Sequence, residues 1–164
     1  MNMQNTINNL IQSLIDVICN IPDELYNKNL PLFNGGTLGQ HCRHIYEFCE
    51  ILYNYQGIEP LSYDDRKRDL ELENSKEIMI LKLKEIQNHS LDQNIKFSFP
   101  LLHKINKEES IKILTTFERE LLFVLDHTIH HMAIIRIGIE KELPRFELPY
   151  DFGFTPSTLL AKKV

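Results

Sequence analysis

The stretch Leu125-Asp126-His127-Thr128-Ile129-His130-His131-Met132-Ala133 decides the reading of this chain. It lies within a long segment, from about Thr115 to Glu140 or Lys141, whose apolar residues recur at the helical period. Thr115 reads as the N-cap, with Glu118 closing a capping box, and Pro144 limits the far end. With Val124 at the centre of the buried stripe and about 100° per residue, His131 falls roughly 20° away and His127 roughly 60° away. His130 falls about 120° away, toward the flank. His127 and His131, four residues apart, therefore share the inward face with Cβ atoms about 5–6 Å from each other. They are the better chelating pair.

A second histidine run, Gln40-His41-Cys42-Arg43-His44, opens another helix, for which Thr37 reads as the N-cap. Leu38, Ile45, Phe48, Ile51, Leu52 and Tyr55 mark its inward stripe. Periodicity sets His41 slightly nearer the centre than His44 and excludes neither. An imidazole from this helix, added to the pair on the other, makes a three-ligand metal set with an open position. The bland alternative is a group of hydrogen-bonded core histidines. His89 and His103, in polar surroundings, read as surface residues, Arg43 and Arg136 as charges on helix flanks, and Glu47, one turn beyond His44, as a base supporting it or else a surface charge. Cys42 and Cys49 share a face turned away from His44. With Cys19 they make an odd set that suits buried, inert, reduced thiols.

Outward from these runs, Ile7, Leu10, Ile11, Leu14, Ile15 and Ile18 predict a first helix from Met3 to Cys19 or Ile21, ended by Pro22. Another helix is expected from Ser75 to Asn88. Residues 95–99 and 111–114 have the alternation of short extended pieces, and Thr155-Pro156 opens a terminal turn near Ser157 to Ala161. The expected fold class is all-α: a four-helix bundle with one longer crossover and a short C-terminal helical turn, forming a single domain over residues 1–164. The net charge of −5 argues against a nucleic-acid partner. No uninterrupted apolar run nears the ~20 residues of a membrane span, so no membrane partner is expected. The first residues lack the pattern of a signal peptide, which with the free thiols suggests a cytoplasmic setting.

The two histidine motifs, Thr37-Leu38-Gly39-Gln40-His41-Cys42-Arg43-His44-Ile45 and the stretch quoted at the outset, resemble those of the DinB-like superfamily of metal-binding four-helix bundles. Tyr63-Asp64-Asp65-Arg66-Lys67-Arg68-Asp69 and Phe152-Gly153-Phe154-Thr155-Pro156-Ser157-Thr158 resemble segments of one bacterial branch. In that family a histidine late in the first motif joins the His-x-x-x-His pair of the second around a divalent ion. The resemblance thus implies His44, His127 and His131 as ligands. His41 and His130 remain as hydrogen-bonding neighbours or alternative ligands. It favours His44 where periodicity leans to His41.

Three imidazoles suit zinc or nickel among several divalent ions. Relatives that use low-molecular-weight thiols imply a thiol cofactor and a reaction in which a thiol or water attacks a small electrophile. Transferase, isomerase and hydrolase activities all fall within that description, and no catalytic residue is assigned. A non-enzymatic metal- or ligand-binding stress-response bundle is the alternative. The segment from Tyr63 to Asp69 offers Tyr63, Asp65, Arg66 and Arg68 as substrate-binding residues, with Asp64 or Asp65 as partners for the ligand histidines; otherwise it is a solvated linker. Family members often form homodimers.

Overall fold

The computed structural model describes residues 3–89 and 97–161. Seven helices follow the chain: α1 (Met3–Asn20), α2 (Asp23–Tyr26), α3 (Leu38–Tyr53), α4 (Leu70–Asn74), α5 (Lys76–Gln87), α6 (Phe117–Glu142) and α7 (Pro156–Ala161), with a 3₁₀ turn at Pro31–Phe33. An antiparallel hairpin, β1 (Phe99–Lys104) with β2 (Ser110–Thr115), precedes α6. The helical core is the expected one, but the all-α expectation is corrected by this hairpin.

Four helices enclose the core. α3 packs on both α5 and α6, and α1 packs on the other side of the same two, so that α1 lies opposite α3 and α5 opposite α6. Ile7, Ile11, Leu14 and Ile18 of α1 meet Cys42, Ile45, Cys49 and Leu52 of α3 and Val124, Met132 and Ile135 of α6 in one buried cluster. The connection from α5 to α6 must cross a diagonal of the bundle, and the hairpin is built into that crossover. Phe99 pairs with Thr115 and Lys104 with Ser110, which puts Leu101, His103, Ile111 and Ile113 on one face. Asn106 closes the turn, its Oδ1 accepting from the backbone N–H groups of Glu108 and Glu109, both at 2.9 Å. The expected extended piece at 95–99 is displaced toward the C-terminus. Its residues 95 and 96 lie outside the described residues, and Phe97 and Ser98 precede the strand.

Most helix boundaries agree with the sequence reading. Thr37 caps α3, its Oγ1 accepting from Gln40 N at 3.0 Å. Ser75 caps α5, and α7 falls where Thr155-Pro156 places it. Thr115 is not the cap of α6. It ends β2 and donates its hydroxyl to Glu120, while Thr116 takes the cap position and accepts from Arg119 N. α6 is long and apolar enough by length and composition to cross a membrane, which no uninterrupted apolar run in the sequence is. Its apolar stripe faces the bundle core.

Two glycines permit close backbone approach. A Cβ on Gly39 of α3 would overlap the Glu73 carbonyl oxygen and crowd the Tyr26 ring, so glycine lets α4 lie directly against α3. Gly153, at φ +73, rests the C-terminal tail on the α6 backbone at Met132 and Ala133.

Candidate metal centre

The contact between α3 and α6 is where the two histidine runs meet. One ring nitrogen from each of His44, His127 and His131 lies within 4.8 Å of the other two, the only such set of three metal-binding side chains among the described residues. His44 Nε2 stands 2.8 Å from His127 Nε2. Two nitrogens that close share either one proton or one cation. A tetrahedral ion with nitrogens at about 2.0–2.1 Å would hold them roughly 3.3 Å apart, so the site would open by about half an ångström to admit one.

His41 joins from the side, its Nδ1 2.9 Å from Nδ1 of His131. It touches one member of the set, and His44 rather than His41 is the histidine of α3 grouped with His127 and His131. His130 is exposed, its ring centroid 5.2 Å from that of His131. His89 is half-buried, with its ring 5.8 Å from that of Tyr53, and is not the surface residue expected. His103 is on the surface, 3.4 Å from Asp64.

Ring packing orients the imidazoles. His127 stacks on Phe48, at 4.3 Å, and on Phe123, at 5.4 Å, and those two rings lie 6.0 Å apart on the same side of it. Phe48 also stacks on Tyr63 at 4.8 Å and touches His44 at 4.5 Å. Each of these phenylalanines stands four residues from a histidine on its own helix, a spacing the sequence displayed and that the histidine motifs overshadowed. Partial burial disfavours imidazolium throughout the group. It holds His44 down to about 3, aided by Arg66 and His127, and His127 down to about 4, aided by His130 and Arg66. His131 falls to about 2, with His44 and His127 adding to the effect of burial, and His41 is lowered by burial and by His130. Neutral imidazoles with free lone pairs are the form that binds metal. The donor set therefore fits a borderline divalent ion.

A buried ion cluster lies on α3 beside the histidines, and here the surface reading of Glu47 and the flank reading of Arg43 are overturned. Glu47 is 2% exposed and accepts from Asp69 N at 2.9 Å. Its carboxylate faces Arg66 Nε at 3.6 Å and Arg43 Nε at 3.8 Å. Arg43 also pairs with Glu73, which accepts from Gln40 Nε2 as well. The close seat of α4 allowed by Gly39 brings Glu73 into reach. Arg136 is likewise no solvated flank: it pairs with Glu140, donates to the Phe152 carbonyl at 2.9 Å and covers the Phe154 ring.

The segment from Tyr63 to Asp69 divides its tasks. Tyr63 is buried beside the site, its hydroxyl donating to Glu120 at 3.0 Å. Arg66 donates to the Tyr63 carbonyl and lies 5.6 Å from the Phe48 centroid. Asp64 accepts from Lys104 N and Asp65 pairs with the Lys104 ammonium, so neither carboxylate reaches the three histidines. Arg68 is exposed at φ 53. Leu61 bridges to β1, accepting from Leu102 N and donating to the Pro100 carbonyl. The segment is thus a strut that fixes the hairpin to the bundle. Cys42 and Cys49 are buried, and burial pushes both thiols up to about 12, as expected of inert thiols; Cys19 is exposed.

No known family model matches the chain, and no solved structure matches it. A stretch of 106 residues is 34% identical to a protein described as FK506-binding protein 5 from Rhizopus delemar. The alignment takes in 60% of this chain and 26% of that protein. The chain spans about a quarter of that relative's length, and so short a share establishes no family.

Proposed function

We propose that this is a DinB-like metal-binding protein in which His44, His127 and His131 hold one zinc or nickel ion and serve the attack of a thiol or water on a small cytoplasmic electrophile. The observation that carries the reading is the convergence of three imidazoles, each disfavouring its proton, within 4.8 Å of one another. When bound, such an ion supplies Lewis acidity toward a thiol or water.

The remaining roles belong to the chain. His41 bonds one side of the His131 ring and fixes its tautomer, as partners of metal-binding imidazoles do. Phe48 and Phe123 stack on the His127 ring and restrict its rotation. Arg66, tethered by Glu47 and the Tyr63 carbonyl, adds positive charge next to His44 and His127 and favours an anionic partner such as a thiolate. The partial likeness to an FK506-binding protein involves a quarter of that protein and adds nothing about the histidines.

Plasma mass spectrometry on tag-free protein tests the site. One metal ion per chain is expected, lost in His44→Ala and His131→Ala. No metal after incubation with zinc and nickel would sink the reading. Thiol addition to cobalt-substituted protein should then change its visible spectrum. A silent spectrum with every cellular thiol, together with metal-dependent stabilisation, would favour the non-enzymatic module instead.

A further inference from the structure

Between the hairpin and the bundle lies a cleft of about 430 Å³ that reaches His44 and His127. Phe48, Tyr63 and Phe123 form its bundle wall, and Leu101, Ile111 and Ile113 its hairpin wall. Its size falls within the range of small-molecule sites, roughly 300–1,000 Å³.

The polar groups around the cleft are already engaged with one another. The Tyr63 hydroxyl donates to Glu120, whose other oxygen accepts from Thr115 at 2.6 Å. Asp64 takes the Lys104 N–H at 2.8 Å and faces His103, and the Arg119 guanidinium lies over the Phe123 ring at 5.4 Å. A polar body would surrender its hydration against the apolar side chains that make up most of these walls, which is unfavourable. An apolar occupant would cover isoleucines that are otherwise 43% and 48% exposed, at Ile111 and Ile113. The aromatic side chains on the bundle wall suit edge or offset contacts with a ring. The imidazoles of His44 and His127, in contact with each other at 2.8 Å, also line the cleft.

We infer that the cleft binds a compact molecule with an aromatic or alicyclic body and one polar end directed at the histidines, and that the hairpin selects it. The inference rests on the metal reading for what meets the polar end; the site for the body stands on the cleft alone. The strut from Leu61 to Asp65 holds the selecting wall in place.

The neutral fluorophore N-phenyl-1-naphthylamine is the probe, titrated into full-length protein with and without zinc. Saturable binding of one probe per chain is expected, weakened by about tenfold or more in Ile113→Lys, a factor well resolved by titration. Leu114→Lys, on the opposite face of the same strand and 76% exposed, should bind as the parent does. His131→Ala lies outside the cleft lining and should lose zinc while keeping the probe. Probe binding that is absent, or equally affected by Ile113→Lys and Leu114→Lys, overturns the inference even where zinc binds. Probe binding with the expected contrast in a protein that takes no zinc upholds the cleft and overturns the metal reading alone. A circular dichroism melt of each lysine variant confirms that it is folded, since both replaced side chains are substantially exposed.

Discussion

Two polar clusters sit side by side on α3 and solve burial in opposite ways. The Glu47 cluster is closed by charge: Arg43, Arg66, Gln40 and the Asp69 amide surround its two carboxylates, Glu47 and Glu73, although Glu47 Oε2, Arg43 Nε and Arg66 Nε form ion pairs rather than hydrogen bonds. The histidine cluster is open. No carboxylate bonds His44, His127 or His131 among the described residues, and His44 and His127 face each other at 2.8 Å. Buried charges persist when paired, whereas these imidazoles are partly buried and kept neutral by the fold. The first cluster therefore braces α3 by charge, and the second is a set of neutral rings within reach of solvent.

The largest effect that would break this contrast lies in the closed cluster. Glu47→Ala leaves the Arg66 guanidinium without a carboxylate and Arg43 with Glu73 alone, a loss of about 3–5 kcal/mol. For a chain of this size that corresponds to a fall in melting temperature of roughly 6–20 °C. A change within about 0.5 kcal/mol would return Glu47 to the status of a surface charge. The open cluster should respond to metal in the reverse sense. Zinc at a hundred times its dissociation constant stabilises by about 2.7 kcal/mol, roughly 5–10 °C here, and His131→Ala should remove that gain. A variant that keeps the full gain would exclude His131 as a ligand.

A smaller effect follows from acid, smaller because solvent reaches all three rings. The folded values near 4, 3 and 2 for His127, His44 and His131 lie below the unfolded value of about 6.5. Below that value the unfolded chain takes up protons that the folded chain resists. The stability this cluster contributes is complete above about pH 6.5 and declines as pH falls through about 4. Metal-free parent should therefore lose melting temperature between pH 7 and pH 4 more steeply than a His44→Gln, His127→Gln, His131→Gln variant. Parallel curves would show that the imidazoles are not held neutral by the fold.

The same contrast explains what could be read from the sequence. Helices, most of their caps and the His127–His131 pair follow from local periodicity, which the chain carries along its own length. The choice of His44 over His41 depends on how α3 is rotated against α6, and the family-like motif, not the stripe, indicated it. Glu47 was misread because its burial is created by distant residues, Asp69, Arg66 and Glu73, whose approach requires the missing side chain at Gly39. Of the hairpin, β2 was visible as the extended piece at 111–114, while β1 lies beyond the expected 95–99 and shares only Phe99 with it. The hairpin's effect on fold class was not visible, since pairing and the Leu61 bridge are contacts far apart in the chain.

The smallest effect concerns the junction where hairpin and bundle join. Thr115 and Thr116 are adjacent and chemically identical, yet they serve different structures. Thr116, in extended backbone at φ −126 and ψ 161, accepts from Arg119 N and starts α6. Thr115 donates to Glu120, which in turn receives the Tyr63 hydroxyl at the wall of the cleft. Thr116→Ala should cost about 1 kcal/mol, a drop of roughly 2–4 °C, and leave binding of the naphthylamine probe unchanged. Thr115→Ala should weaken the probe as well, because Glu120 then loses a donor and Tyr63 its firm anchor. If Thr116→Ala has no measurable effect while Thr115→Ala frays the first turn of α6, the cap belongs one residue earlier. In that event Glu120 would be supported by Tyr63 alone, and the hairpin wall would be set by Leu61 and Asp64 rather than by the strand-to-helix junction.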